Sequence, residues 1–289
     1  MPEPRSTGLS GLDAQHDFLR ARRRATIAKL IARLRGEPDD VAVVLPYEEV
    51  IEALGFAGEH SVGLEVVALE QIVGSVGRGR DFDRRFRPTS GRSRGRWEQI
   101  AAAARRGESF PPVDLVKVGQ LYFVRDGHHR VSVARALGRT DIDAYVTEVT
   151  TRIDADTAMK LSDLPLKSHE RVFFERVPLP IAARAEIELT DPHDYHELAE
   201  AVEAWGFRAM QSQGEPLDRK HTAELWLETE YRPVVAMLRE AGLVEHGTDT
   251  EAYMNIAAER YRLLRTHDWN EDVLRRVLEG RGRRRPQRG

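Results

Sequence analysis

Apolar residues along the chain recur at two different periods, and the balance between those periods shifts near residue 150. Phe18, Leu19, Ala25, Ile27, Leu30, Ile31 and Leu34 return at helical spacing. That predicts a long helix from about Asp13 to Leu34, capped by Asp13 and stopped by Gly36 and Pro38, with the apolar stripe inward and the arginines on the other face. Residues 1–12 carry Pro, Gly and Ser and read as loose. Tyr47–Leu54 reads as a short second helix ended by Gly55, and the Val- and Leu-rich run Val62–Ile72 as a strand near Glu65–Ala68. Gly74–Arg96 reads as loop and Trp97–Arg106 as helix, and Pro111-Pro112 breaks the chain. Val113–Val118 and Leu121–Arg125 are β-rich runs separated by Gly119-Gln120, a hairpin signal. Arg130–Leu137 follows as a helix, with Val131, Ala134 and Leu137 inward and Gly138 as its C-cap, and Asp143–Val149 returns as a strand.

Beyond residue 150 the period becomes helical. Ile153–Leu161, His193–Gln211, His221–Ala241, Thr250–His267 and Trp269–Leu278 all show it, with Pro178, Pro180, Pro192 and Pro216 between them. Trp205, Phe207, Trp226, Tyr231, Tyr253, Tyr261 and Trp269 fall at core spacings there, while Glu224, Glu228, Glu230, Glu240, Arg232 and Arg239 read as a solvated face. The organisation expected is a basic helical N-terminal extension over 1–61, an α+β domain over 62–150, an all-helical region over 151–280 and a disordered basic tail over 281–289.

Composition narrows the chemistry. The chain has 289 residues, 41% hydrophobic and 31% charged, as a folded globular protein requires. Cysteine is absent, which removes disulfides, thiolate metal sites and thiol nucleophiles together. No apolar run reaches the ~18 residues of a membrane span, and Met1–Arg5 lacks the basic-then-apolar order of a signal peptide, so a cytoplasmic protein with no membrane partner is expected. Net charge is only −3, but it is unevenly spread: Arg20–Arg35 holds seven basic residues and no acid, and Arg78–Arg106 holds ten arginines against Asp81, Asp83 and Glu98. Such segments suit a polyanion; Arg-rich coding explains them equally well.

The residues with most chemistry are Asp126-Gly127-His128-His129-Arg130. A strand that opens straight into a helix leaves backbone N–H groups and the positive end of the helix dipole at the turn, which together favour an anion. Gly127 permits positive φ and close ligand approach. His128, His129, Arg130 and Ser132 are candidate side-chain donors, Arg130 through a planar fork suited to phosphate. Asp126 is repulsive there unless it orients a histidine, binds a ribose or holds a metal. The alternative is a plain solvated helix start with Asp126 as N-cap. Adjacent histidines diverge by roughly 100° on a helix, so no protein-only metal site is expected.

Tyr122–Ala134, reading YFVRDGHHRVSVA, resembles the nucleotide-binding motif of the ParB/sulfiredoxin superfamily, in which a strand runs into Gly-x-[His or Arg]-Arg and a helix. Val66–Ile72 is similar to that family's first strand. Arg80, Phe82 and Asp83 match three positions of the box that follows it in partition proteins, and Pro111-Pro112-Val113 matches the approach to the second strand. The resemblance covers about residues 62–149, and the whole chain is similar to actinobacterial ParB-like proteins with a helical C-terminal region. It implies a small mixed-sheet α+β fold and a bound nucleoside triphosphate, ATP or CTP, with Mg²⁺. By the same resemblance Gly127–Arg130 and Ser132 would hold the phosphates, with Arg78 and Arg80 closing over them.

Members of the superfamily differ in chemistry. Sulfiredoxins place a cysteine where this chain has His128, so sulfinic-acid reduction is excluded. Free-serine kinases of the fold need a carboxylate base soon after the first strand, where this chain reads Gly74-Ser75-Val76-Gly77; Asp81, Asp83 and Asp126 remain as candidate bases. Partition proteins continue into a helix-turn-helix, which is not recognisable after residue 150. The expectation is therefore a nucleotide-binding module or switch, associated with DNA through Arg-rich segments, partition- or transcription-regulator-like and possibly homodimeric. A small-molecule kinase of the same fold and a non-catalytic scaffold are the alternatives.

Overall fold

The alternation between residues 113 and 149 becomes the centre of a six-stranded mixed sheet in the computed structural model, which describes residues 7–36, 43–77, 81–155, 159–244 and 247–264. The strands are β1 (Leu45–Pro46), β2 (Phe56–Ala68), β3 (Ile72–Ser75), β4 (Val113–Val118), β5 (Leu121–Asp126) and β6 (Asp141–Thr151), in the order β1-β3-β5-β4-β6-β2. The β4–β5 hairpin and the β2–β6 pair are antiparallel, whereas β1–β3, β3–β5 and β4–β6 are parallel. The expected α+β class with helices before and after the sheet is what the chain adopts. Two compact units divide it, residues 1–168 and 169–289.

Strand alternation sorts the core. Leu115, Val124, Ala144 and Val146 point to one face, where Val131 and Ala134 of α4 (His128–Ala136) cover them. Val116 and Phe123 point to the other, where Tyr47 of α2 (Tyr47–Leu54) meets Phe123 edge-on at 5.7 Å between rings. A second apolar cluster joins α4 to α3 (Arg94–Arg105) and to α1 (Ser10–Leu34) through Val133, Trp97, Ala101, Ala14 and Phe18, with Phe18 and Trp97 edge-to-face at 5.5 Å. Arg105 strengthens this layer by donating to Asp17 and lying 3.8 Å from Asp13.

α1 departs from the sequence expectation in which face it buries. Ala14, Phe18, Ala21, Ala25 and Ala32 are inside, and Leu19, Ile27, Leu30, Ile31 and Leu34 are exposed. Small alanines let α1 approach α3 closely, so the narrow stripe wins over the bulkier one. Asp13 is no N-cap either: it sits one turn inside the helix and accepts hydrogen bonds from Thr7 N at 3.0 Å and Thr7 Oγ1 at 2.8 Å. β2 is longer than the strand expected, because its first half pairs with the end of β6 across two bulges.

The second unit is helical, with α6 (Ile181–Arg184), α7 (Pro192–Gln213), α8 (Arg219–Trp226), α9 (Arg232–Glu240) and α10 (Asp249–Leu264); α5 (Leu164–Arg176) contains the division point. The helix expected over 153–161 is absent from its described residues, and α5 appears instead, with Pro165 in the first turn where its missing N–H costs nothing. A π-helical turn, Leu227–Tyr231, links α8 to α9 and rotates Glu230 and Tyr231 inward. Glu230, expected on a solvated face, is therefore buried 3.5 Å from Arg260. Tyr231 packs with Trp226 and Tyr253, and burial pushes its hydroxyl up to about 12. Phe207 and Tyr261 are exposed rather than core. Trp269–Leu278 and the tail 281–289 lie outside the described residues.

Gly74 marks the tightest backbone approach in the sheet, facing Leu45 on one side and the Phe123 ring on the other. A Cβ there would stand 1.9 Å from Phe123 Cδ1 and 2.9 Å from the Leu45 carbonyl oxygen. Gly74→Ala is expected to destabilise the protein by about 1–3 kcal/mol, as overpacking does. Urea unfolding checks this, and an unchanged midpoint would contradict the packing described.

Candidate functional site

The junction between β5 and α4 places the residues singled out from the sequence. The strand ends at Asp126 and the helix begins at His128, two residues earlier than the apolar spacing suggested. Gly127 alone separates them, at φ +97°, a left-handed conformation that L side chains rarely adopt. The position is also crowded, since a Cβ would meet Val113 Cγ1 at 2.5 Å. Gly127 is the N-cap residue, and it has no side chain with which to bond the first N–H groups of α4. Asp126 is thus not the N-cap, and the first N–H groups of the helix face outward from its positive end.

Arg130 occupies the rim of the turn. Its Nη1 donates to the carbonyl oxygens of Pro111 (2.9 Å) and Pro112 (2.7 Å), and its Nη2 to Asp126 Oδ2 at 2.6 Å. Asp126, the odd carboxylate of the motif, is therefore the ion-pair partner of Arg130; its own side chain is 71% exposed against 17% for the arginine. The guanidinium fixes the chain just before β4 to the start of α4.

The two histidines are buried rather than presented to solvent. His128 Nε2 lies 2.7 Å from Ser75 Oγ, a hydrogen bond joining the end of β3 to the start of α4. Phe82 stacks near-parallel to the His128 ring at 6.2 Å and edge-on to His129 at 5.3 Å. Ser132 is buried beneath them, its hydroxyl accepting the Trp97 indole N–H at 2.8 Å. Gly127 and Arg130 are consequently the motif residues nearest the open end of the helix, while His128, His129 and Ser132 bind the helix to its neighbours.

Asp83 forms the knot of the segment that follows β3. Its Oδ1 accepts from the Arg85 and Arg87 backbone N–H groups, and its Oδ2 from Arg87 Nε at 2.7 Å. Arg87 also donates to the Arg24 carbonyl oxygen of α1, and Arg84 to that of Met159. Asp81 is half-buried and adjoins residues that are not described. Arg78 and Arg80, expected to close over the turn, lie outside the described residues.

Residues given no ligand role from the sequence complete the arrangement. Ser75, Phe82 and Trp97 hold the motif's side chains, and Arg135 donates to the Leu69 and Ile72 carbonyls flanking the start of β3 while lying over the Phe86 ring at 5.4 Å. Burial brings the Arg135 pKa down to about 10, so it stays charged at neutral pH. Nothing in its spacing marks it out; a helix-borne arginine ordinarily reads as solvated.

A cavity of about 800 Å³ lies in the second unit among Glu186, Tyr231, Arg232, Arg239 and Asp249. Its charges are balanced within the unit: Arg232 pairs with Glu186 and Glu228, and Arg239 with Asp249. The hydrogen bond from Arg232 holds the Glu186 carboxyl below its ordinary range.

No family model matches the chain, and no curated protein sequence matches it. Among solved structures, a Pnob8-like ParB-N domain is similar at 14% identity over 78% of this chain and 96% of that one, with a TM-score of 0.21, too loose a superposition to establish shared topology. Among the described residues, no helix is long and apolar enough to cross a membrane.

Arg130 and Asp126 make separable contributions. Arg130→Met is expected to cost about 1–3 kcal/mol, because two carbonyls lose a charged donor. Asp126→Asn should cost under ~1 kcal/mol, as loss of an exposed ion pair does. Urea unfolding of both variants measures the difference, and equal losses would contradict a structural role for the carbonyl contacts.

Proposed function

We propose that the mixed sheet and α4 form a ParB-like module that binds the phosphates of a nucleoside triphosphate at the start of α4. The observation carrying this reading is the N-terminus of α4, opened by Gly127 directly after β5 with no side chain of that residue to cap it, and with the Arg130 fork at its rim. A phosphate there would take the place that a capping side chain usually fills, and would draw Arg130 from Asp126. Ser75 bonded to His128 ties the segment after β3 to the same helix end, so a ligand held by the turn has a route to the arginine-rich stretch 78–96. Mg²⁺ would arrive with the nucleotide.

DNA association is the outer part of the reading. Arg85, Arg92 and Arg96 are exposed cations of this stretch, whereas Arg84, Arg87 and Arg94 make contacts within the protein. Contacts of that kind give affinity that depends on salt and not on sequence. Phosphoryl transfer is less well supported, because Asp83 already accepts three hydrogen bonds and Asp126 is paired.

Calorimetric titration with ATP, ADP and CTP in Mg²⁺ is the test. At least one should bind. Arg130→Lys, which keeps the charge but loses the fork, should weaken binding by about tenfold, the worth of one charge-assisted hydrogen bond. Asp126→Asn should tighten binding by removing a carboxylate that competes for Arg130. No binding of any nucleotide, or weaker binding by Asp126→Asn, would overturn the reading.

A further inference from the structure

The first unit carries two exposed apolar surfaces of opposite charge. On α1, Ile27, Leu30, Ile31 and Leu34 form one stripe at i, i+3, i+4, i+7, with Leu30 58% and Leu34 80% exposed. Around it lie the seven basic residues of Arg20–Arg35, with no acid among them. On the sheet, Leu64, Val66 and Tyr145 share the face turned away from α4, because Leu64 pairs with Tyr145 and Val66 with Asp143 while Ala144 and Val146 point inward. Leu64 is 61% and Val66 70% exposed. Residues 43–77 around them contain six glutamates and neither Lys nor Arg. Glu48, Glu49, Glu52 and Glu59 are exposed there, as is Asp143 on β6. Arg125, a cation on that side, lies 3.7 Å from Asp114.

We propose that these surfaces are the two halves of one contact between copies of this chain, the basic apolar face of α1 seating on the acidic apolar β2–β6 face of a second copy. Charge selects this pairing. Two copies of α1 laid together would oppose seven cations to seven, and two copies of the β2 edge would oppose glutamates, which is destabilising across strands. Lengths also agree, since α1 runs to about 37 Å and β2 to about 43 Å. The apolar residues give the contact its affinity and the flanking charges its register. Because the halves differ, the contact is heterologous and propagates or closes as a ring unless one half is blocked. It does not require nucleotide, so it stands or falls separately from the function proposed above.

Sedimentation velocity of the full chain, without nucleotide, tests it. The mass should rise with concentration and fall back in high salt. Leu30→Asp and Leu64→Lys, both at exposed positions, should each weaken association by about tenfold or more, the worth of one buried leucine, with circular dichroism and the melting temperature unchanged. An equimolar mixture of the two variants should restore a one-to-one dimer, since each brings the half the other lacks. A wild-type chain that stays monomeric, association that survives either substitution, or a mixture that remains monomeric would overturn the proposal. So would Leu30-dependent binding of anionic vesicles or DNA by a chain that does not self-associate.

Discussion

Gly127 is the constraint on which the first unit depends. At φ +97°, with the Val113 side chain directly beneath it, it allows β5 to turn into α4 with no intervening loop. The abrupt junction sets the axis of α4 against the sheet, and so decides which way His128, His129, Arg130 and Ser132 project. Arg130 reaches back to the Pro111 and Pro112 carbonyls, His128 reaches Ser75, and Ser132 takes the Trp97 indole. The helix start is thereby fastened to β3, to the approach to β4 and to α3. α1 packs on α3, so its position follows from the same junction.

The division of labour in this turn is between side chains and main chain. Side chains of the motif are largely committed to the fold, and the main chain at the start of α4 carries the positive end of the helix behind a glycine N-cap that has no side chain to offer it. The proposed phosphate site rests on main-chain geometry for that reason, with Arg130 as its one shared side chain. A ligand that drew Arg130 from Asp126 would act on the same guanidinium that holds the carbonyls of residues 111 and 112. On that proposal, binding at the turn would be coupled to the seating of β4 through one guanidinium.

The hairpin, the glycine turn and the α+β class were legible because each has a local cause: a Gly-Gln reversal, a strand ending in Asp-Gly, and a change from mixed periods to a helical one. What was not legible depends on partners distant in sequence. α1 offers two apolar stripes, and only the presence of Trp97 and Ala101 on α3 determines that alanines face inward. The roles of His128, His129 and Ser132 looked like ligand chemistry because their partners, Ser75, Phe82 and Trp97, lie some 35 to 53 residues away. Glu230 looked solvated because a π turn shifts the helical phase by about one residue. α5 was hidden by Pro165, which reads as a breaker although a first turn accepts it.

The most direct test of the central claim is a titration of the ¹⁵N-labelled protein with Mg²⁺–ATP and Mg²⁺–CTP, followed at the backbone amides. The account predicts that the Gly127, His128, His129 and Arg130 amides shift first and furthest, as N–H groups engaging phosphate do. Shifts absent from this turn, or confined to the cleft around Arg232 and Arg239, would contradict it.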